Sequence, residues 1–240
     1  VLKACVNGAR RMGEHPALPV GAVDVARDVL AVVAAGADAV HLHVKDERGD
    51  DTLDGPTLDT VLTAVRRSAP GVPIGVTTGA WALPDPDLRV AAVRSWGGLT
   101  ARPDFASVNW HEEGADRVAA ALLEIGVGVE AGLWHADGVR AWLASPYRDR
   151  CLRVLVELPG GLGAVAAEDE AARLLEMIGT HGDVLLHGED ESAWPALRMA
   201  GRLGLSTRIG LEDVLVLPDG RPAADNAELV RTARRLLEKA

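Results

Sequence analysis

The chain has little cysteine. Cys5 and Cys151 lie far apart inside apolar runs and make neither a disulfide framework nor a metal-ligand spacing, so a reducing, cytoplasmic setting is expected. No apolar run comes near the roughly 18 residues of a membrane-spanning helix. The opening residues, VLKACVNGARR, lack the basic-then-apolar order of a secretory signal, and a start at Val1 reads as a short trimmed start. Positive charge is in deficit: 25 Lys and Arg stand against 35 Asp and Glu, a net charge of -10. That balance excludes general affinity for nucleic acid or an anionic membrane, and an anionic substrate would need a local basic pocket. There is no P-loop and no dinucleotide fingerprint after the first strand. The Pro159-Gly160-Gly161-Leu162-Gly163 stretch would let backbone N–H groups approach a phosphate, and reads equally as a plain flexible loop. With no long linker or low-complexity segment, residues 1–240 are expected to form one domain.

What is present is an ordinary globular composition, 48% apolar over 240 residues. A chain of this size buries roughly 70 to 75% of its extended-state surface, so it needs no disulfide or metal to hold together. Any metal is therefore expected to be chemical rather than structural. Eight β-branched apolar runs recur at 2–8, 39–44, 73–79, 105–110, 126–134, 152–158, 183–188 and 206–212, each followed by a stretch of helical spacing. Continuously apolar strands suit a parallel sheet covered by helices. Eight units in about 250 residues is the usual size of a (β/α)₈ TIM barrel, a parallel eight-stranded barrel with outer helices. An open doubly wound sheet, which normally uses fewer strands, is the competing architecture.

In a barrel, the polar groups that do chemistry gather at the C-terminal ends of the strands. Those ends supply Asn7 and Arg10, His41 and His43, Thr77 and Thr78, Ser107 and Asn109, Glu130, Glu157, His187, then Arg208, Glu212 and Asp213. Residues two apart on a strand share a face, so His41 and His43 enter the barrel mouth together. A catalytic zinc typically takes three protein ligands, and Glu212 on the eighth strand, brought near by closure, is the natural third. A His-x-His pair is by itself more often a hydrogen-bonded polar pair. By alternation Arg208 shares the Glu212 face about two layers deeper, with Asp213 as its partner if the chain turns there; an ion pair closing the barrel floor is the bland alternative. Thr77, Thr78, Gly79, Ser107 and Asn109 offer donors for a carboxylate or keto oxygen, and would serve equally as turn residues. Glu157, His187, His15 and His111 have no partner that the spacing names.

Taken together, NGAR (7–10), HPALPV (15–20), AGADAVHLHVKDERG (35–49), VTTG (76–79), ASVNW (106–110), LPGGLG (158–163), RIGLED (208–213) and DNAELV (225–230) resemble the β-keto acid cleavage enzymes. The resemblance covers nearly the whole chain. It implies a (β/α)₈ barrel with Zn²⁺ held by His41, His43 and Glu212, although such a set would also accept another divalent metal. It implies a catalytic pair at Arg208 and Asp213 and substrate contacts at Thr77, Thr78, Gly79, Ser107, Asn109 and Glu130. The implied reaction condenses a β-keto acid with acetyl-CoA and yields acetoacetate and a new acyl-CoA, in a homo-oligomer, either tetramer or dimer.

Three features depart from the family. Arg10 stands where the enzyme acting on an amino-keto acid carries an acid, so a substrate with a neutral or anionic tail is expected. Val214 replaces an amide often found after the Glu-Asp pair. Family members commonly carry a C-terminal extension and longer loops, which bears on coenzyme A binding and on the tetramer. Two rival functions are a metal-dependent barrel lyase or aldolase that does not use coenzyme A, and a non-catalytic metal- or acyl-ligand-binding barrel.

Overall fold

The computed structural model describes residues 1–239. Eight parallel strands close in sequential order, from β1 (Leu2–Cys5) through β2 (Ala39–Leu42), β3 (Ile74–Thr77), β4 (Phe105–Asn109), β5 (Gly128–Leu133), β6 (Arg153–Leu158) and β7 (Val184–Gly188) to β8 (Ser206–Ile209). Between and after them run α1 (Ala22–Ala34), α2 (Gly55–Ser68), α3 (Pro86–Ser95), α4 (Ala115–Glu124), α5 (Ala136–Ala144), α6 (Ala164–Ile178), α7 (Ala193–Leu203) and α8 (Asn226–Leu237). The barrel expectation holds, and the open sheet is excluded by pairing of β1 with β8, Lys3 opposite Arg208. No helix among the described residues is long and apolar enough to cross a membrane.

Four of the eight helices, α2, α3, α5 and α8, start behind a side chain that accepts from a free N–H group of the first turn. Asp54 accepts from Thr57 N at 3.0 Å ahead of α2, and Asp225 accepts from Glu228 N at 2.7 Å ahead of α8. Each helix then lays an apolar stripe on the barrel; Val25, Val29 and Val32 of α1 are fully buried at helical spacing. Burying each such side chain stabilises the fold by about 1.5 to 3 kcal/mol.

The barrel floor is charged. β1 and β5 lie on opposite sides of the ring, yet Lys3 Nζ meets Glu130 Oε2 at 2.5 Å, so both side chains point inward. Arg153 approaches the same carboxylate at 3.4 Å, and Phe105 lies under the Lys3 ammonium, 5.3 Å from its ring centroid. Gly75 makes room for that ring, because a Cβ there would collide with it. Glu130 is therefore a structural ion-pair partner below the mouth and lines no part of the cavity described below, contrary to the substrate contact expected of it.

Asp28 of α1 is half-buried, and one side-chain donor reaches it, Asn226 Nδ2 at 2.8 Å. Burial pushes its pKa up to about 7, against the Asn226 hydrogen bond. The folded protein thus keeps a proton that the unfolded chain releases near pH 4, and stability falls as pH climbs from about 4 to about 7. Asp28→Asn keeps the acceptor and removes the ionisation. It is expected to match the native protein near pH 4 and to exceed it by about 2 kcal/mol at pH 8 in urea melts.

Candidate active site

The strands stop sooner than their sequence pattern suggests, and this shapes the site. β2 ends at Leu42, so His41 belongs to the strand and His43 to the segment just beyond it. The ring centroids are 5.3 Å apart. β8 ends at Ile209, and Gly210 to Asp213 form a tight turn in which the N–H groups of Asp213 and Val214 both donate to the Gly210 carbonyl, at 2.9 and 3.0 Å. Gly210 lies hard against the Cys5 backbone, where any side chain would collide with the carbonyl. Glu212 is thus delivered by a turn rather than by strand alternation, and it is not two layers above Arg208. Gly8, at φ +57°, lets the first loop pass against the Glu212 side chain; a Cβ there would strike its Cγ.

This turn brings three residues able to hold a metal together. His41, His43 and Glu212 offer donor atoms all within 4.8 Å of one another. His41 Nε2 lies 4.0 Å from Glu212 Oε2, and His43 Nε2 lies 3.9 Å from Glu212 Oε1. Among the described residues Glu212 Oε2 and His41 Nδ1 are buried without a hydrogen-bond partner. A buried carboxylate oxygen without a donor is costly, and a cation relieves that cost. Burial holds the His41 pKa well below its ordinary value, and the neighbouring His43, Lys3 and Arg208 lower it further, leaving the neutral imidazole a metal requires.

A second layer of polar groups fixes His43. Asn7 accepts from His43 N at 2.8 Å and donates to His43 O at 2.9 Å. Asp51 Oδ2 meets His43 Nδ1 at 2.7 Å, and its other oxygen takes Lys45 Nζ at 2.6 Å. Burial alone would raise the Asp51 pKa, but these two partners hold it down to about 2.

Arg208 is buried and takes both acids of the turn: Nη2 lies 2.9 Å from Glu212 Oε1 and 2.8 Å from Asp213 Oδ1, with Nε 3.0 Å from the same Asp213 oxygen. Burial pushes Asp213 up to about 7 despite Arg208, and Glu212 and Glu189 add to the rise. Its Oδ2 has no partner among the described residues. Across the mouth, Glu157 sits 3.4 Å from the fully buried His187 Nε2. Burial raises the Glu157 pKa well above the carboxylate range; Arg208 opposes that, while Glu189, Glu212 and Asp213 reinforce it.

These groups surround a cavity of about 280 Å³ at the strand C-termini. Of the expected contacts, Arg10, Thr77, Ser107, Asn109 and Arg208 line it together with His41, His43 and Glu212. Thr78 and Gly79 stand behind the wall: Thr78 Oγ1 donates to Ser107 O at 2.7 Å, and Gly79 N donates to Thr77 Oγ1 at 3.1 Å. Asp213 also lies behind, reached through Arg208. Trp81, Trp134, Glu14, Glu189 and Asp190 line the cavity without having been singled out in the sequence. Trp134 had a usable signal, since it shares a strand face with Glu130 two steps up and it, rather than Glu130, reaches the mouth. His15 is structural, with Nε2 2.9 Å from Ala223 O. The Gly161 N–H of the glycine loop donates to Glu191 at 2.8 Å, so it faces a carboxylate.

The charge of Arg10 is offset by its neighbours. Its guanidinium contacts Asp190 at 3.0 Å and Glu14 at 3.4 Å, and its Nε donates to Leu211 O. Five acidic side chains line the cavity against two guanidiniums, and burial raises the pKa of two of them, Glu157 and Glu189.

Comparison with known proteins places the chain in a family. Residues 1–240 match the family described as beta-keto acid cleavage enzyme. The chain belongs to that family. Among curated relatives, the β-keto acid cleavage enzyme fold of this chain aligns over its whole length with a 3-keto-5-aminohexanoate cleavage enzyme of Acetoanaerobium sticklandii, at 21% identity and covering 92% of that relative. It is 31% identical over 110 residues to the 3-oxoadipate:acetyl-CoA acetyltransferase of Cupriavidus necator, a match covering 45% of this chain and 36% of that enzyme. The first two curated relatives are thus spanned over only about a third of their own length, 36% and 29%. Among solved structures, ObcA in complex with oxaloacetate superposes with a TM-score of 0.71 at 17% identity, covering 92% of this chain and 63% of that one. A type I 3-dehydroquinate dehydratase of Clostridium difficile superposes at 0.66 and 11% identity, covering all of this chain and 92% of that one. These structural likenesses speak to the barrel fold.

Proposed function

We propose that this β-keto acid cleavage enzyme is metal-dependent and converts a β-keto acid and acetyl-CoA into acetoacetate and a new acyl-CoA. The observation that carries the reading is the convergence of His41, His43 and Glu212, with a buried, donorless carboxylate oxygen, beside the Arg208–Asp213 pair at the floor of one cavity. A divalent cation held by those three residues would polarise the keto oxygen and stabilise negative charge as it develops there. The side chains of the chain itself supply the rest.

Thr77 Oγ1 accepts from Gly79 N, so its hydroxyl hydrogen remains free to donate to a substrate carboxylate, with Ser107 beside it in the wall. Arg208 stays cationic, because Asp213, Glu212 and Glu157 raise its pKa further against the effect of burial. It therefore serves poorly as a base and well as a clamp. Asp213 lies behind it, so the proton lost from the α-carbon reaches that carboxylate by relay: Arg208 takes it while passing the N–H proton it shares with Asp213 Oδ1, and stays cationic throughout. Returning that proton to acetoacetate balances the exchange: one carbon–carbon bond forms to the acetyl carbon, the thiolate leaves and re-attacks the original keto carbon, and the second carbon–carbon bond breaks.

The acidic lining shapes the tail preference. With Arg10 offset by Asp190 and Glu14, we read the outer cavity as favouring a neutral or cationic tail, which reverses the anionic half of the sequence expectation. A product screen with acetyl-CoA and β-keto acids of matched length tests both points. Turnover is expected to require acetyl-CoA, and kcat/KM for neutral or amino tails is expected to exceed that for a carboxylate tail by about tenfold or more. Cleavage without acetyl-CoA would point instead to an aldolase-type barrel lyase.

A further inference from the structure

Asp51 lies eight residues beyond His43 and outside every motif that points to the site. The chain reaches it through a short antiparallel excursion: Lys45 and Asp51 form a bridge, Thr52 N returns to Val44 O at 2.9 Å, and Gly49, at φ +85°, turns the tip. The excursion ends with Asp51 against the outer edge of the His43 ring. Three donors converge on its carboxylate: His43 Nδ1 at 2.7 Å, Lys45 Nζ at 2.6 Å and Trp81 Nε1 at 2.8 Å. A carboxylate held by an ammonium can only accept, so Nδ1 carries the hydrogen, and a neutral His43 presents its lone pair at Nε2. Nε2 is the atom that faces Glu212. Trp81 closes the arrangement from the cavity side. Its indole stacks on His43 at 5.9 Å between centroids and 19° between planes, and folds back over Gly79, where a Cβ would collide with the ring. Lys45 extends the same network to Gly8 O at 2.7 Å, and Gly8 abuts Glu212.

We infer that Asp51 is a positioning residue that fixes the tautomer and orientation of His43 for metal binding, and that Trp81 clamps the same ring by stacking on it while donating to Asp51. This rests on the metal reading of His41, His43 and Glu212, and adds two residues that touch no ligand atom of the metal directly. Partners of this kind typically change metal affinity by about 10- to 100-fold.

The test is a zinc titration of the purified protein against a chromogenic chelator, with circular dichroism confirming the fold of each variant. Asp51→Ala is expected to weaken zinc binding about 10- to 100-fold. Asp51→Asn, which keeps an acceptor for Nδ1–H without the charge, is expected to fall between the two and guards against misfolding of the alanine variant. Trp81→Ala removes both the ring over His43 and the donor to Asp51 and is expected to weaken zinc binding by about tenfold. Native zinc affinity in both folded Asp51 variants overturns the inference, and native affinity in folded Trp81→Ala overturns the clamp. Failure of the native protein to bind zinc overturns the metal reading and this inference with it. Native zinc binding with the Asp51 effect intact, but no acetyl-CoA-dependent cleavage, overturns the proposed reaction and leaves this inference standing.

Discussion

His41→Ala is expected to leave the purified protein with almost no bound divalent metal and to lower acetyl-CoA-dependent cleavage by about 10³-fold or more, with the fold retained. The loss follows from the geometry. Two of three ligands remain, and neither can be replaced from nearby, because the other nitrogen of His43 is taken by Asp51 and Glu212 already leans on Arg208. Withdrawing several kcal/mol of charge stabilisation from the reacting oxygen corresponds to roughly three powers of ten in rate. The fold survives because burial keeps His41 neutral, so no charged partner is orphaned by its removal. What remains is a cavity cost of about 1 to 3 kcal/mol. Metal content by mass spectrometry, read beside kcat, checks the outcome. One metal ion per chain in the folded variant would show that the ion sits elsewhere.

How much of this was legible beforehand differs between residues for physical reasons. The eight strand starts could be read from continuously apolar runs, because a parallel strand is covered on both faces. The strand ends could not: RIGLED continues an alternating pattern past Ile209, and only the approach of Gly210 to the Cys5 carbonyl, a long-range contact, forces the turn there. His41 and His43 were legible through their two-residue spacing. Alternation places Glu130 inward correctly, but carries no information on height, and the partner that fixes it below the mouth, Lys3, comes from the opposite side of the ring. Asp51, Trp81, Glu157 and Glu189 were not assigned, because what defines each is a neighbour brought in by loop closure: His43 for the first two, and for the acids one another and Arg208.

Arg208→Ala is expected to keep its metal yet lose about 10³-fold in turnover, the scale of removing one preorganised donor from the point where charge develops. A stability effect accompanies it. Arg208 is the cation that both Asp213 and Glu212 contact in the turn after β8, and removing one partner from a buried pair costs about 3 to 5 kcal/mol. Loss of activity in the single variant therefore has two readings, catalytic and structural. Combining Arg208→Ala with Asp213→Asn separates them. The amide leaves no buried charge at 213, so the double variant is expected to recover most of the lost stability, because contacting residues are not additive. Turnover is expected to stay at the floor, since the double variant has neither the clamp nor the carboxylate that holds the proton. Thermal melts and kcat/KM on the same preparations give the answer. Recovery of turnover along with stability would mean that the pair serves the fold alone, whereas stability recovered without turnover assigns the Arg208–Asp213 pair to the reaction.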